Sequence, residues 1–225
     1  MKRIILTILA IGILGFLGYW GIGMYLFANG VKKDSLRIEN FKLEKKIQNG
    51  DIIFQTSKSS QSKAIQLATN SKYSHMGIIY ENDEKYFVYE AIQPVKLTPL
   101  KKWINRGENG HYVVKRIKNS ENILTDRIIN EMKVYGEKFK GKSYDIYFEW
   151  SDDKIYCSEL VWKIYKEVTD IEIGKLEHLS DFDLSHEIVQ NKMKERYGEN
   201  VPMNEKVISP AEMFDSNKLI TIKEE

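Results

Sequence analysis

Short apolar runs separated by turn-like segments dominate the chain after residue 50. Four of these runs are rich in β-branched and aromatic residues, which is typical of strands. They lie at residues 50–55 (GDIIFQ), 76–80 (MGIIY), 85–91 (KYFVYEA) and 111–117 (HYVVKRI). The polar residues 81–84 (ENDE) predict a turn that joins the second and third runs into a hairpin. A last strand is predicted around residues 219–222.

Apolar residues at intervals of three and four predict two longer helices. The first covers residues 121–140, and the second begins near Tyr156 and carries Cys157 on its apolar stripe. Shorter helices are predicted at residues 60–70 and after Pro210, whereas residues 170–205 are polar and show no motif. This mixture of strands and helices fits an α+β fold better than an alternating α/β fold.

The amino terminus has a different pattern, because residues 4–28 contain no charged side chain. As a helix, these 25 residues exceed the ~30 Å hydrocarbon core of a bilayer. Leu26 and Ala28 make a poor cleavage site, which favours a retained anchor over a signal peptide. We therefore predict an anchor at residues 1–31, a juxtamembrane linker at 32–49 and a globular domain at 50–225. Lys2 and Arg3 favour an extracytoplasmic domain, although lysines after the span argue the other way.

Composition argues against one class of partner and excludes two kinds of cysteine site. The chain has 34 Lys and Arg against 32 Asp and Glu, a net charge of +2, which argues against a nucleic-acid partner. Cys157 is the only cysteine, so neither an intrachain disulfide nor a zinc site built on CxxC pairs is available.

Cys157 raises the question of why one thiol stands at the predicted start of a helix. The partial positive charge and unpaired N–H groups of a helix N-terminus stabilise a thiolate. Ser151, Asp152 and Asp153 precede it and are predicted to cap the helix. The alternative is that Cys157 is a small buried core residue, as most free cysteines are.

A reactive thiol also needs a base, and the chain offers four histidines. His178 and His186 lie in a charged stretch typical of a surface, and His111 fits either a surface or a buried position. His75 begins a strand, and a symmetric loop at 81–84 places it directly opposite Glu90. A carboxylate there would orient the imidazole, although a purely structural His–Glu pair remains open. Asp145 is the second-choice partner.

The order of several motifs resembles a known family. These are GDIIF, SHMGIIY, YEA, GKSYDIYFEW, YCSELVW and a late SPAEM, spread over residues 50–222. The chain is thereby similar to the permuted papain-fold enzymes of the NlpC/P60 superfamily, specifically the YiiX-like group, in which the histidine strand precedes the cysteine helix.

The resemblance implies roles for particular residues. Cys157 would be the nucleophile, His75 the base and Glu90 the third member of the site. Tyr144 and Asp145 would lie near the site in supporting roles, together with Tyr156 and Ser74, which flank the cysteine and the histidine. It also implies a permuted papain-like α+β fold, with a small antiparallel sheet packed on the nucleophile helix.

The function expected on this basis is a membrane-tethered thiol hydrolase that cleaves an amide or peptide bond through an acyl-enzyme. No cofactor or metal is required for this chemistry. Expected partners are a small peptide, amide or lipid acyl substrate and the membrane. One alternative is a lipid acyl hydrolase or acyltransferase, and a second is a binding module without catalysis.

Overall fold

The computed structural model describes residues 22, 24–30 and 47–225, of which 24–30 are helical. The predicted anchor and linker therefore lie largely outside the described residues. Within the described residues, no helix is both long and apolar enough to cross a membrane. Contacts divide the chain into the units Met1–Lys46 and Ile47–Glu225. All remaining elements belong to the second unit.

The centre of this unit is an antiparallel sheet of six strands in the order β4-β3-β2-β1-β5-β8. Its strands are β1 (Ile52–Gln55), β2 (His75–Asn82), β3 (Lys85–Glu90), β4 (Lys96–Pro99), β5 (Val113–Ile117) and β8 (Leu219–Glu224). Two short strands, β6 (Glu177–His178) and β7 (Lys206–Val207), form a separate pair. The four predicted runs and the last strand all lie in the main sheet.

Seven α-helices accompany the sheet within residues 47–225. They are α1 (Ser62–Ala68), α2 (Leu100–Arg106), α3 (Ser120–Ile123), α4 (Asp126–Gly136), α5 (Cys157–Thr169), α6 (Glu187–Tyr197) and α7 (Pro210–Asp215), with 3-10 turns at Glu108–Gly110 and Leu179–Asp181. The helix predicted at residues 121–140 is divided, because Thr125 caps a new helix by accepting a hydrogen bond from the N–H of Ile128.

The main core lies between one face of the sheet and α5. Met76 and Ile78 of β2 are fully buried there, in one cluster with Leu160, Val161 and Ile164 of α5. The cluster explains the stripe of apolar residues that predicts α5, since these residues repeat every three or four positions. Helix α2 packs against β3 and β4 and buries Trp103. The sequence patterns do not predict α2 or β4.

The β2–β3 hairpin differs from its predicted register. Tyr80 pairs with Phe87 and Asn82 with Lys85, so the connection has two residues rather than four. Asp83 and Glu84 both adopt positive φ angles, of 50° and 59°. Two-residue hairpin turns of this type require positive φ at both positions, and they match the twist of the strands. The prediction that His75 lies directly opposite Glu90 is therefore wrong by two residues.

Candidate active site

Cys157 is the first residue of α5, and it is buried. Tyr156, in an extended conformation, is the N-cap, and its carbonyl accepts the first helical hydrogen bond from Leu160. The Glu159 carboxylate accepts a hydrogen bond from the Tyr156 N–H. The prediction that residues 151–153 cap this helix is therefore wrong. Asp152 instead forms an ion pair with Lys163, one of the residues of α5.

His75 and Glu90 lie on the same face of the sheet despite the changed register. A shift of two residues preserves the side on which a strand residue points. Continuing the observed register places Glu90 opposite Gly77. His75 lies two residues before Gly77 in β2, further from the turn. A Cβ on Gly77 would come 2.7 Å from the carbonyl oxygen of Tyr89 and 3.3 Å from Cβ of Glu90. The glycine therefore leaves room for Glu90 to reach His75 diagonally, and Nε2 of His75 lies 2.6 Å from Oε2 of Glu90.

Glu90 is held in a fully buried position by three side chains. Thr98 donates a hydrogen bond to Oε1 at 2.5 Å, and Arg106 donates to Oε1 and Oε2 at 2.5 and 2.6 Å. Burial alone would raise the pKa of this carboxyl, but hydrogen bonds and charges from His75, Thr98 and Arg106 lower it to about 2. Glu90 is therefore a fixed negative charge next to the imidazole.

The imidazole of His75 is oriented between this carboxylate and the thiol of Cys157. Its ring stacks on Trp103, with ring centroids 5.9 Å apart. Because Nε2 is committed to Glu90, Nδ1 is the ring nitrogen left to take the proton of the Cys157 thiol. A sulfur, an imidazole and a carboxylate linked in this order have the geometry of a nucleophile, a base and an orienting group.

The surroundings of His75 and Cys157 favour the charged form of each side chain. Burial opposes a charge on His75, yet hydrogen bonds with Cys157 and Glu90 raise its pKa to about 9. Burial likewise opposes the thiolate, but the hydrogen bond from His75, followed by the N–H groups of Met76 and Ser158, lowers the pKa of Cys157. Both shifts act in the same direction, towards a thiolate–imidazolium pair.

The four predicted supporting residues take different positions. Tyr144 lines the same groove as Cys157, and its hydroxyl accepts a hydrogen bond from Gln61. Asp145 is buried, and its carboxylate accepts from the N–H groups of Tyr147 and Glu149, so it holds a turn and is not the partner of His75.

Tyr156 and Ser74 stabilise the backbone around the site. The hydroxyl of Tyr156 accepts a hydrogen bond from the N–H of Ile208. Ser74 accepts from the N–H of Ser57 and shares a 2.6 Å hydrogen bond with Ser62. The other histidines take no part in the site, since His178 and His186 are exposed and His111 lies beside Glu224.

An apolar groove opens beside Cys157. One wall comes from α1, with Ala64, Ile65 and Ala68, and another from the polar segment 170–205, whose Leu179, Phe182 and Met193 point into it. Gln61, Tyr144 and Arg196 also line the groove. This position explains what residues 170–205 contribute, which their sequence does not indicate.

Several residues of the site are absent from the sequence-based prediction. Thr98, Trp103 and Arg106 hold Glu90 and His75, and Gln61 and Arg196 lie around Tyr144. Leu100, Trp103 and Arg106 recur at intervals of three on the inward face of α2, but over seven residues this spacing is too short to predict a helix. No local pattern identifies Gln61 or Arg196, because only the folded chain brings α1 and α6 together.

Comparison with known proteins supports the resemblance on which the site was predicted. A family model for permuted papain-like amidase enzymes, the YaeF/YiiX or C92 family, matches residues 46–223. The chain belongs to this family. It is a cysteine hydrolase of the amidase and peptidase type, as the sequence predicts, and its fold is the permuted papain-like α+β fold.

Two relatives are similar over most of the chain. The protein YiiX of Escherichia coli (strain K12), described as uncharacterized, is 48% identical over 178 residues, which are 79% of this chain and 87% of the relative. A crystal structure of YiiX from Escherichia coli O157:H7 has a TM-score of 0.75 and 49% identity. The match covers 79% of this chain and 97% of that one.

The O157:H7 relative is described as a metalloprotein. The described residues of the present chain contain no group of three or more His, Cys, Asp and Glu side chains arranged to hold a metal ion. At the site itself the carboxylate of Glu90 is already bound by His75, Thr98 and Arg106. The donors around Cys157 therefore do not fit a metal centre.

Proposed function

We propose that this protein hydrolyses an amide bond through an acyl-enzyme on Cys157, with His75 as general base and acid and Glu90 as the group that orients His75. The observation that carries the proposal is the 2.6 Å hydrogen bond between His75 and the buried Glu90, together with the lowered pKa of the buried Cys157 thiol, for which His75 is the main favourable cause. Glu90 is fully buried and ionised, so it favours the imidazolium that forms when His75 takes the thiol proton.

The steps of the reaction follow from this arrangement. The thiolate of Cys157 attacks the carbonyl carbon, and the C=O electron pair moves to the oxygen. Backbone N–H groups at the start of α5 stabilise that oxyanion. The oxyanion collapses, the C–N bond breaks and the imidazolium of His75 protonates the leaving amine. His75 then takes a proton from water, whose oxygen attacks the thioester and releases the acid and the thiolate.

A set of purified variants tests this assignment. We expect Cys157→Ala and His75→Ala to abolish turnover of N-acyl p-nitroanilides, each by a similar factor, because the two residues act as a unit. His186→Ala, which removes an exposed histidine, is the matched control and should keep wild-type activity. Wild-type turnover in Cys157→Ala, with melting curves showing a folded protein, would overturn the proposal.

The apolar groove favours a second candidate, a lipid acyl hydrolase or acyltransferase. Its lining next to Cys157 offers few polar partners for a peptide and suits an aliphatic acyl group. The same thiol, imidazole and carboxylate serve an ester, because the acyl-enzyme is common to both reactions. Comparing p-nitrophenyl esters with p-nitroanilides of equal acyl chain separates the candidates. Turnover confined to the esters favours the second.

We also propose that the amino-terminal segment tethers the enzyme to a membrane, with the catalytic domain on the extracytoplasmic side. The support is the uncharged stretch at residues 4–28. Full-length protein should remain in the membrane fraction after a carbonate wash, whereas a chain beginning at Lys32 should not. Recovery of a mature protein that begins near Asn29 would instead indicate a cleaved signal peptide. Protection of the domain from protease in intact cells would contradict the orientation.

A further inference from the structure

Arg196, Gln61 and Tyr144 come from separate parts of the chain and are joined by two hydrogen bonds. All three line the groove beside Cys157. We propose that Arg196 and Gln61 are positioning residues that fix the hydroxyl of Tyr144 as a hydrogen-bond donor to the sulfur of Cys157. The inference deepens the proposed function, on which it rests, because it assigns a second source of stabilisation for negative charge at the same thiol.

The direction of this line of hydrogen bonds follows from the chemistry of arginine. Nη2 of Arg196 lies 2.8 Å from Oε1 of Gln61, and Nε2 of Gln61 lies 3.0 Å from the hydroxyl of Tyr144. A guanidinium has only donors, so the atom of Gln61 that faces it must be the carbonyl oxygen. The amide nitrogen of Gln61 then necessarily points to Tyr144 and donates to it.

This direction determines where the proton of Tyr144 goes. The phenol oxygen accepts from Gln61, so its single O–H remains free to donate to the thiol of Cys157, which lines the same groove. Burial first, and then the charge and hydrogen bond of Cys157, raise the pKa of Tyr144, so the phenol keeps its proton when the thiol loses its own. Tyr144 therefore acts as a donor to the thiolate.

The positive charge of Arg196 at the far end strengthens the hydrogen bond that Tyr144 donates to the sulfur. Each hydrogen bond runs in the same direction, from Arg196 through Gln61 and Tyr144 to the sulfur. Aligned hydrogen bonds polarise one another, most strongly where water is excluded. Arg196 also lies 5.1 Å above the ring of Phe148, which fixes the guanidinium at the edge of the groove. Helix α6 thereby contributes to the reactivity of a thiol on α5.

Other charged and titratable groups around Cys157 come from several elements. His75 of β2 faces the thiol and carries Glu90 of β3 behind it. Tyr156 and Glu159 adjoin it on its own helix, and Glu159 is paired with Lys163. Arg196 bonds to Gln61 and lies over Phe148 rather than contacting these groups, so we expect its effect on the thiol to be separable from theirs.

The lone cysteine allows a test that needs no substrate. Protein labelled with [3-13C]cysteine gives one resonance, because Cys157 is the only cysteine in the chain. Its chemical shift against pH gives the midpoint for ionisation of the thiol. We expect Tyr144→Phe to raise that midpoint by about one pH unit, since it removes a hydrogen bond to a charged group. Arg196→Met and Gln61→Met should each raise it by about half a unit, and Arg196→Lys by less.

A double-mutant comparison decides between positioning and a direct effect. In a Tyr144→Phe background, Arg196→Met and Gln61→Met should cause no further shift. The control is Lys194→Met, which removes a neighbouring exposed cation of α6 and should leave the midpoint unchanged. If Arg196→Met does not fold, Gln61→Met tests the proposal by breaking the line of hydrogen bonds at its middle residue.

Two results would overturn the proposal. One is an unchanged midpoint in folded Arg196→Met and Gln61→Met, which would make these contacts structural. The other is a shift of equal size in the Tyr144→Phe background, which would mean that Arg196 acts on the sulfur without Tyr144. Failure of the proposed function would appear elsewhere, as the absence of an acyl group on Cys157, because this titration measures only the thiol.

Discussion

Nε2 of His75 lies 2.6 Å from Oε2 of Glu90, although the two residues are not opposite one another in the β2–β3 hairpin. Glu90 crosses diagonally over Gly77, the position at which any side chain would meet the backbone of β3. The pair thus depends on three features of two strands: the histidine, the glycine two residues later and the glutamate of the partner strand.

The carboxylate should control the charge of the imidazole. In Glu90→Gln the hydrogen-bond acceptor remains but its negative charge is lost, so we expect the pKa of His75 to fall from its raised value of about 9. Carbon–proton spectra of the four histidine rings against pH measure this directly. Glu224→Gln removes the carboxylate beside His111 and should leave the titration of His75 unchanged. An unshifted His75 in Glu90→Gln would show that Glu90 does not set its charge.

Arg106 should stabilise the folded protein through Glu90. Arg106→Met leaves the fully buried Glu90 without its guanidinium partner, and we expect a loss of about 1–3 kcal/mol in the free energy of unfolding. Arg127→Met, which breaks an exposed pair with Glu131 on α4, is the matched control and should change little. Denaturant unfolding of both variants provides the comparison. Equal stability of the two would mean that Glu90 is satisfied by Thr98 and His75 alone.

The activity should depend on pH through the ionisation of both Cys157 and His75. Turnover needs the thiolate of Cys157, whose pKa is lowered by His75 against the effect of burial, and the imidazolium of His75, whose pKa is about 9. We therefore expect kcat/KM to increase as the thiol ionises on the acid side and to decrease as the pH rises through about 9. A rate that continues to increase well beyond pH 9 would contradict a role for imidazolium as the acid.

The groove should select the length of the acyl group. Ala68 lines its wall on α1, so Ala68→Phe should reduce turnover of a decanoyl substrate far more than that of an acetyl substrate. The control, Val134→Phe, places the same ring at an exposed position of α4. Esters and anilides of both chain lengths, assayed for kcat/KM, test the expectation. An equal loss for both lengths would mean that the acyl group does not occupy the groove.

Much of the sheet could be predicted from sequence, because its strands carry β-branched and aromatic residues between polar turns. The predicted face of the hairpin is correct, but its register is not. Asp83 and Glu84 form a two-residue turn with positive φ without the Asn-Gly or Asp-Gly pair that usually signals one. An error of two residues preserves the face of the strand. An incorrect loop therefore still predicts that His75 and Glu90 lie on the same face and in contact.

The rest of the site depends on tertiary contacts that leave no local pattern. Arg106 lies on a seven-residue helix, too short for its periodicity to stand out. Gln61 and Arg196 are separated by 135 positions along the chain and meet only where α1 and α6 pack together. Residues 170–205 look like a polar surface segment, yet their few apolar side chains form a wall of the groove.

Mass spectrometry of the intact protein during reaction with p-nitrophenyl octanoate tests the central claim most directly. The account predicts one added octanoyl group that maps to Cys157, accumulates at early times and is lost by hydrolysis. It also predicts that Cys157→Ala remains unmodified while its melting curve stays like that of the wild type. An octanoyl group on any other residue, its retention in Cys157→Ala, or a wild type that releases p-nitrophenol without ever carrying the group would contradict an acyl-enzyme on this thiol.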